Sequence, residues 1–152
     1  MTNLPNRTYI SEYNQISKEC DMIYHSVAVK LGISDCAFWI FYTLSESEEQ
    51  CTQSELCDLS SMPRQTVNSA LKKLESDGYI ALSPAKPKPG KFISLTKKGK
   101  EFSQDFIIPV LRAEESACAS FTEEEKDMFI GTYRTLVERL DSEISRIRSE
   151  EQ

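Results

Sequence analysis

"CTQSELCDLSSMPRQTVNSALKKLESDGYI", residues Cys51 to Ile80, holds two short helical patterns joined by a tight polar turn. Thr52 and Glu55 stand three residues apart, the spacing at which each side chain meets the other's backbone N–H. A short helix is therefore predicted from Thr52 to near Leu59. "SSM" turns the chain, and Pro63 suits the first turn of the next helix, where a missing N–H is no loss. Val67, Ala70, Leu71 and Leu74 recur at helical spacing and form that helix's inner stripe. The opposite face gathers Arg64, Gln65, Asn68, Ser69 and Lys72, all hydrogen-bonding or basic.

Toward the C-terminus, Gly78 closes this helix and Tyr79 to Leu82 has the β-branched and aromatic character of a strand. "SPAKPKPGK", Ser83 to Lys91, has too much proline for a helix or a central strand. Phe92 to Leu95 alternates again, which completes a β-hairpin with a stiff, lysine-bearing tip. Thr96 caps a fifth helix, expected to bend or break at Pro109 and to continue toward Ala119. Thr122 and Glu125 repeat the capping-box spacing ahead of a last helix. That helix is expected to bury Phe129, Tyr133, Leu136, Val137, Leu140, Ile144 and Ile147.

Toward the N-terminus, Ile10, Tyr13, Ile16, Cys20, Ile23, Val27 and Leu31 mark one long amphipathic helix that Gly32 ends. Ser34 caps "DCAFWIFYTLSE", apolar nearly all round and so expected to be buried on most faces. The acidic "SESEEQ" reads as a solvated turn. The predicted fold is mainly α with a small β-hairpin wing, a winged helix-turn-helix in the order α–α–α–α–β–β–α–α. One domain is expected over residues 1–152, with a nucleic-acid-binding lobe at 34–100 and dimerisation helices at 1–33 and 101–152.

The 152 residues carry a net charge of −6, which on its own weighs against nucleic acid. Its distribution says otherwise. Residues 62–100 hold nine basic and two acidic side chains, a net +7, which leaves −13 on the remainder. Such a split marks a local polyanion-binding surface on an acidic body. The five cysteines are odd in number and lack metal-ligand or paired spacing, so they read as small buried apolar residues, and no metal or cofactor is expected. No apolar run nears the ~20 residues of a membrane span, and the start of the chain lacks a secretory pattern, which predicts a cytoplasmic protein. One His and no glycine-rich phosphate loop argue against an enzyme.

Recognition of duplex DNA explains the polar helix face. Arg suits guanine, while Asn and Gln suit adenine, because each engages two atoms of a base edge at once. Arg64, Gln65 and Asn68 are assigned to base edges. Ser61, Thr66, Ser69, Lys72 and Lys73 suit phosphates. In the wing, Lys86, Lys88 and Lys91 are placed for the backbone or minor groove of a flanking turn. The competing reading of each residue singly is a solvated surface residue. It is their grouping beside a basic hairpin that favours DNA.

With these residues in place, the chain resembles the MarR family of bacterial transcription regulators. The stretches that carry the resemblance are "LGISDCAFWIFYTLSE", "TQSELCDLSSMPRQTVNSALKKLESDGYI" and "ISLTKKGKEF". The resemblance implies an obligate homodimer, formed by the N- and C-terminal helices, that binds palindromic operators in double-stranded DNA. Many members carry an Asp-Arg pair in the wing; here "PAKPKPGK" stands there, with Lys88 and Lys91 as counterparts by position. The resemblance also implies a small aromatic or lipophilic effector, whose pocket would draw on Tyr24, His25, Phe38, Trp39 and Tyr42. Aromatic core packing is the rival account of those residues. Hydroperoxide sensors of the family place a reactive cysteine in the first long helix near tyrosines. Cys20, between Tyr13 and Tyr24, is the candidate here, and a thiol packed on the apolar stripe is its rival. A winged-helix protein-interaction module without DNA binding is the alternative for the whole chain.

Overall fold

The computed structural model describes residues 5–46, 51–60, 62–84 and 90–150, apart from the side chains of Leu59, Ser60 and Glu150. They form two compact units, 1–109 and 110–152. The first contains α1 (Arg7–Leu31), α2 (Asp35–Glu46), β1 (Cys51–Thr52), α3 (Gln53–Ser60), α4 (Arg64–Ser76), β2 (Ile80–Pro84), β3 (Lys91–Leu95) and α5 (Lys97–Phe102). A π-helical segment, Ser103–Ile107, leads into α6 (Ile108–Cys118), and α7 (Glu123–Glu150) follows. The expected winged helix-turn-helix is present, mostly helical with a small antiparallel sheet.

The centre of the first unit is α2. Ser34 caps it, accepting from the Ala37 N–H at 3.1 Å. Cys36, Ala37, Phe38, Ile40 and Phe41 are buried. This helix touches α1, α3, α4 and the π segment, which is why its sequence is apolar on nearly every side. Around it, Leu56, Val67, Leu71, Leu74, Ile80 and Ile93 complete the core. Gly32 ends α1 with φ 68°, and its N–H bonds the carbonyls of Ala28 and Val29.

Two expectations change here. The hairpin has a third strand: β1 pairs with β3 through Cys51↔Ile93 and Thr52↔Phe92, giving the order β1-β3-β2. A two-residue strand is too short to show alternation in sequence. Pro84, paired with Lys91, sits at the end of edge strand β2, where a lost donor is tolerated. The helix after Thr96 is interrupted before Pro109, not at it, by the π segment. That wider turn makes room for the proline ring, which otherwise meets a carbonyl of the preceding turn. Ser103 is buried there, its Oγ 2.9 Å from that of Ser45.

"DGYI" and "LTKKG" interlock. Thr96 caps α5 by accepting from the Gly99 N–H at 3.1 Å. Its hydroxyl also lies 2.6 Å from the Gly78 carbonyl, and its N–H bonds the Tyr79 carbonyl at 3.0 Å. Lys98 donates to the Asp77 carbonyl at 2.7 Å, at the C-terminal end of α4, and stands 4.2 Å above the Tyr79 ring.

The apolar stripes of the two outer helices are largely open in the single chain. In α1, Ile16 and Ile23 are exposed, and Ala28 is its buried residue. In the second unit, Thr122 and Glu125 cap α7 reciprocally, at 2.8 Å and 3.2 Å. Yet Phe129 is 67 % exposed, Leu140 50 % and Ile147 53 %, and Tyr133, Val137 and Ile144 are exposed as well. Leu136 alone of that stripe is half-buried. An amphipathic helix buries its stripe only where a facing surface exists. Among the described residues no single helix is long and apolar enough to cross a membrane.

Candidate nucleic-acid interface

Val67, Leu71 and Leu74 pin α4 against the core, which turns its other side to solvent. Pro63 precedes the helix as its cap residue, with φ −56° and ψ 132°, one position earlier than the first-turn placement expected from sequence. Among the described residues no side chain caps this end.

Gln65, Thr66, Ser69, Lys72 and Lys73 are all exposed on α4. Ser69 turns its hydroxyl back to the Gln65 carbonyl at 3.0 Å, and Lys73 lies 3.3 Å from Asp77. Arg64 is exposed, its Nη2 donating to the Ser54 hydroxyl at 3.4 Å. Asn68 differs from its neighbours: it is half-buried, and its Oδ1 accepts from Gln53 Nε2. Thr52, Gln53, Ser54, Arg64, Asn68, Gly90 and Lys91 line a polar cleft of about 470 Å³ between the start of α3, the start of α4 and the wing base. Sequence reasoning had no reason to select Gln53 and Ser54, because nothing in the periodicity of a short helix points across to its neighbour. Lys91 is exposed at the start of β3. Ser61, Lys86 and Lys88 lie outside the described residues. Lys98, counted in the basic segment, is engaged with Asp77 and Tyr79.

The residues expected near an effector do gather in part. The Tyr24 ring lies 4.9 Å from Trp39 and 6.1 Å from Phe38, and Trp39 lies 5.1 Å from Tyr42. Phe38 is fully buried, and the other three rings are half-buried. His25 Nδ1 is 2.9 Å from Asp35 Oδ1, linking α1 to the start of α2. Among the described residues no cluster of His, Cys, Asp or Glu is placed to hold a metal ion.

The reading of buried thiols holds for Cys36, Cys51 and Cys57, whereas Cys20 and Cys118 are exposed. Burial pushes the Cys36 thiol up, with Cys57 adding to the effect. Burial also raises Cys51, followed by the charge of Glu55 and then Cys57. Cys20 is not packed on a buried stripe, because that stretch of α1 is open in the single chain.

Fold and surface together define a winged helix-turn-helix protein of the kind found in transcription regulators. Residues 31–87, from the end of α1 past β2, match the sequence model of the MarR family. Two relatives from Bacillus subtilis (strain 168) extend the likeness along the chain. The uncharacterized HTH-type transcriptional regulator YwoH is 23 % identical over 134 residues, 88 % of this chain and 97 % of that one. The HTH-type transcriptional repressor YetL is 26 % identical over 127 residues, 82 % and 76 % of the two chains. Among solved structures, NMB1585, a MarR family regulator from Neisseria meningitidis, superposes with a TM-score of 0.77 at 21 % identity, over 95 % of this chain and 99 % of that one. The Staphylococcus aureus MepR–DNA complex gives a TM-score of 0.71 at 19 % identity, over 90 % and 99 %.

Proposed function

We propose that the chain is a sequence-specific, dimeric DNA-binding transcription regulator of the bacterial cytoplasm. It acts as a repressor at a palindromic operator and is released by a small aromatic or lipophilic effector. The observation that carries this reading is the exposed polar and basic side of α4, held outward by three buried apolar residues, within a segment of net +7. In this reading Arg64, Gln65 and Asn68 meet base edges, and Ser61, Thr66, Ser69, Lys72 and Lys73 meet phosphates. Lys86, Lys88 and Lys91 of the wing follow the flanking backbone. The name of YetL and the DNA bound in the MepR structure support the DNA partner and the repressor outcome. The exposed apolar faces of α1 and α7 support a second subunit, and the aromatic cluster around Trp39 supports an effector of matching character.

Salt dependence of duplex binding tests the reading. A chain that seats several phosphates releases their counterions. Affinity should then fall about a thousandfold between roughly 50 and 200 mM salt. Absence of duplex binding near physiological ionic strength would replace this reading with a protein-interaction module.

A further inference from the structure

We infer that Gln53 is a positioning residue for base recognition: by holding the amide oxygen of Asn68, it sets which hydrogen-bonding group Asn68 presents to DNA. The inference rests on the proposed reading that α4 meets base edges, and it names a specificity determinant for that surface.

The geometry has three parts. Gln53 is the first residue of α3, and the reciprocal Thr52–Glu55 cap, with contacts of 2.8 Å and 3.3 Å, fixes the backbone there. From that fixed point Gln53 Nε2 donates to Asn68 Oδ1, and both side chains are half-buried in the wall of the cleft. Beside them Ser54 accepts from Arg64 Nη2 at 3.4 Å. Two of the three candidate base-reading residues are thus tied to α3, and Gln65 is not among the residues it holds by these bonds.

An asparagine amide is ambiguous, with an acceptor on one side and two donors on the other. The bidentate adenine contact needs both sides free, one accepting from N6 and one donating to N7. Here Oδ1 is drawn toward α3, so Nδ2 is the side left for the groove. Asn68 then acts as a donor. It favours bases that show an acceptor in the major groove, guanine, adenine at N7 or thymine at O4, and it disfavours cytosine, which shows only its N4 donor.

Selection of duplexes from a random library, with the full-length chain, tests this. The parent chain should disfavour cytosine at one position per half-site. Gln53→Ala frees the Asn68 amide to rotate, and preference at that position should fall roughly three- to tenfold. The slope of affinity against salt should stay at the parent's, because no phosphate contact is removed. Gln53→Glu supplies an acceptor where a donor stood, so Asn68 turns, Nδ2 faces α3 and Oδ1 faces the groove. Preference should move toward cytosine or the adenine N6 edge. In an Asn68→Ala background neither Gln53 change should alter selection further.

Unchanged preference in both Gln53 variants overturns the inference and leaves the DNA reading standing. So does a preference change that persists without Asn68. No duplex binding by the parent chain removes the DNA reading and this inference with it.

Discussion

Gly99 has a place in the fold that its neighbours leave no choice about. A Cβ built there would lie 2.0 Å from the Tyr79 carbonyl oxygen, a backbone atom that cannot swing aside. Gly99→Ala must therefore push α5 off the sheet, and a loss of ~3 kcal/mol is expected in chemical denaturation. Thr96→Ala removes the cap of the same helix without a clash and should cost about 1 kcal/mol. The two results together would separate close approach from capping as the reason for "LTKKG". The buried thiols make a second prediction at this scale. Cys36 and Cys51 titrate above the usual thiol range in the fold, so the folded chain holds their protons after the unfolded chain has lost them. Their contribution to stability is complete below the ordinary thiol pKa and is lost as pH climbs through the raised folded values. Denaturation midpoints should fall across the alkaline range, and less so in a Cys36→Ser, Cys51→Ser variant after allowance for its lower starting stability. Once the subunits are separated, Cys20 and Cys118 should be alkylated before Cys36, Cys51 and Cys57.

The elements divide by how local their causes are. Caps at Ser34, Thr52, Thr96 and Thr122 could be read from sequence because each needs only a side chain and a donor three residues away. The inner stripe of α4 was legible for the same reason, and with it the outward side that defines the candidate site. Strand β1 was not, since its two residues owe their conformation to Phe92 and Ile93, far along the chain. Nor was the π segment, which depends on where Pro109 falls against a helix already packed on α2. At the candidate site the residue types were legible, while the bridges from α3 to Arg64 and Asn68 were not. Those bridges sharpen one expectation. Arg64 is exposed and held at its guanidinium by a single 3.4 Å contact, so it can leave Ser54 for a guanine edge at little cost. Arg64→Ala should cost about 1–3 kcal/mol against the selected operator and much less against unrelated duplex. Equal losses on both would assign Arg64 to phosphate.

For the whole molecule, the open question is what covers the apolar residues that a single chain leaves in water. Tyr9, Ile16 and Ile23 on α1, and Phe129, Val137, Leu140, Ile144 and Ile147 on α7, are all exposed. Scattered surface apolar residues are ordinary, but these recur at helical spacing along elements of 25 and 28 residues, which is the pattern of a covered face. The second copy proposed above is the economical cover, because the same stripe then serves both partners and two winged lobes are brought together. The charge supports the division of labour. The −13 carried outside residues 62–100 repels phosphate and the +7 within them attracts it, which is the split the proposed DNA-binding lobe requires. Light scattering should therefore give twice the mass of the 152-residue chain. Leu140→Glu with Ile144→Glu places four carboxylates in that interface per dimer and should yield monomers that keep their helix content, since both positions face water in the single chain. These monomers should still bind an isolated half-site, at affinity reduced to that of one lobe, and lose the joint binding that two linked lobes give a full palindrome. If the variant stays dimeric and grips the palindrome as tightly as its parent, α7 is not the face that joins the subunits.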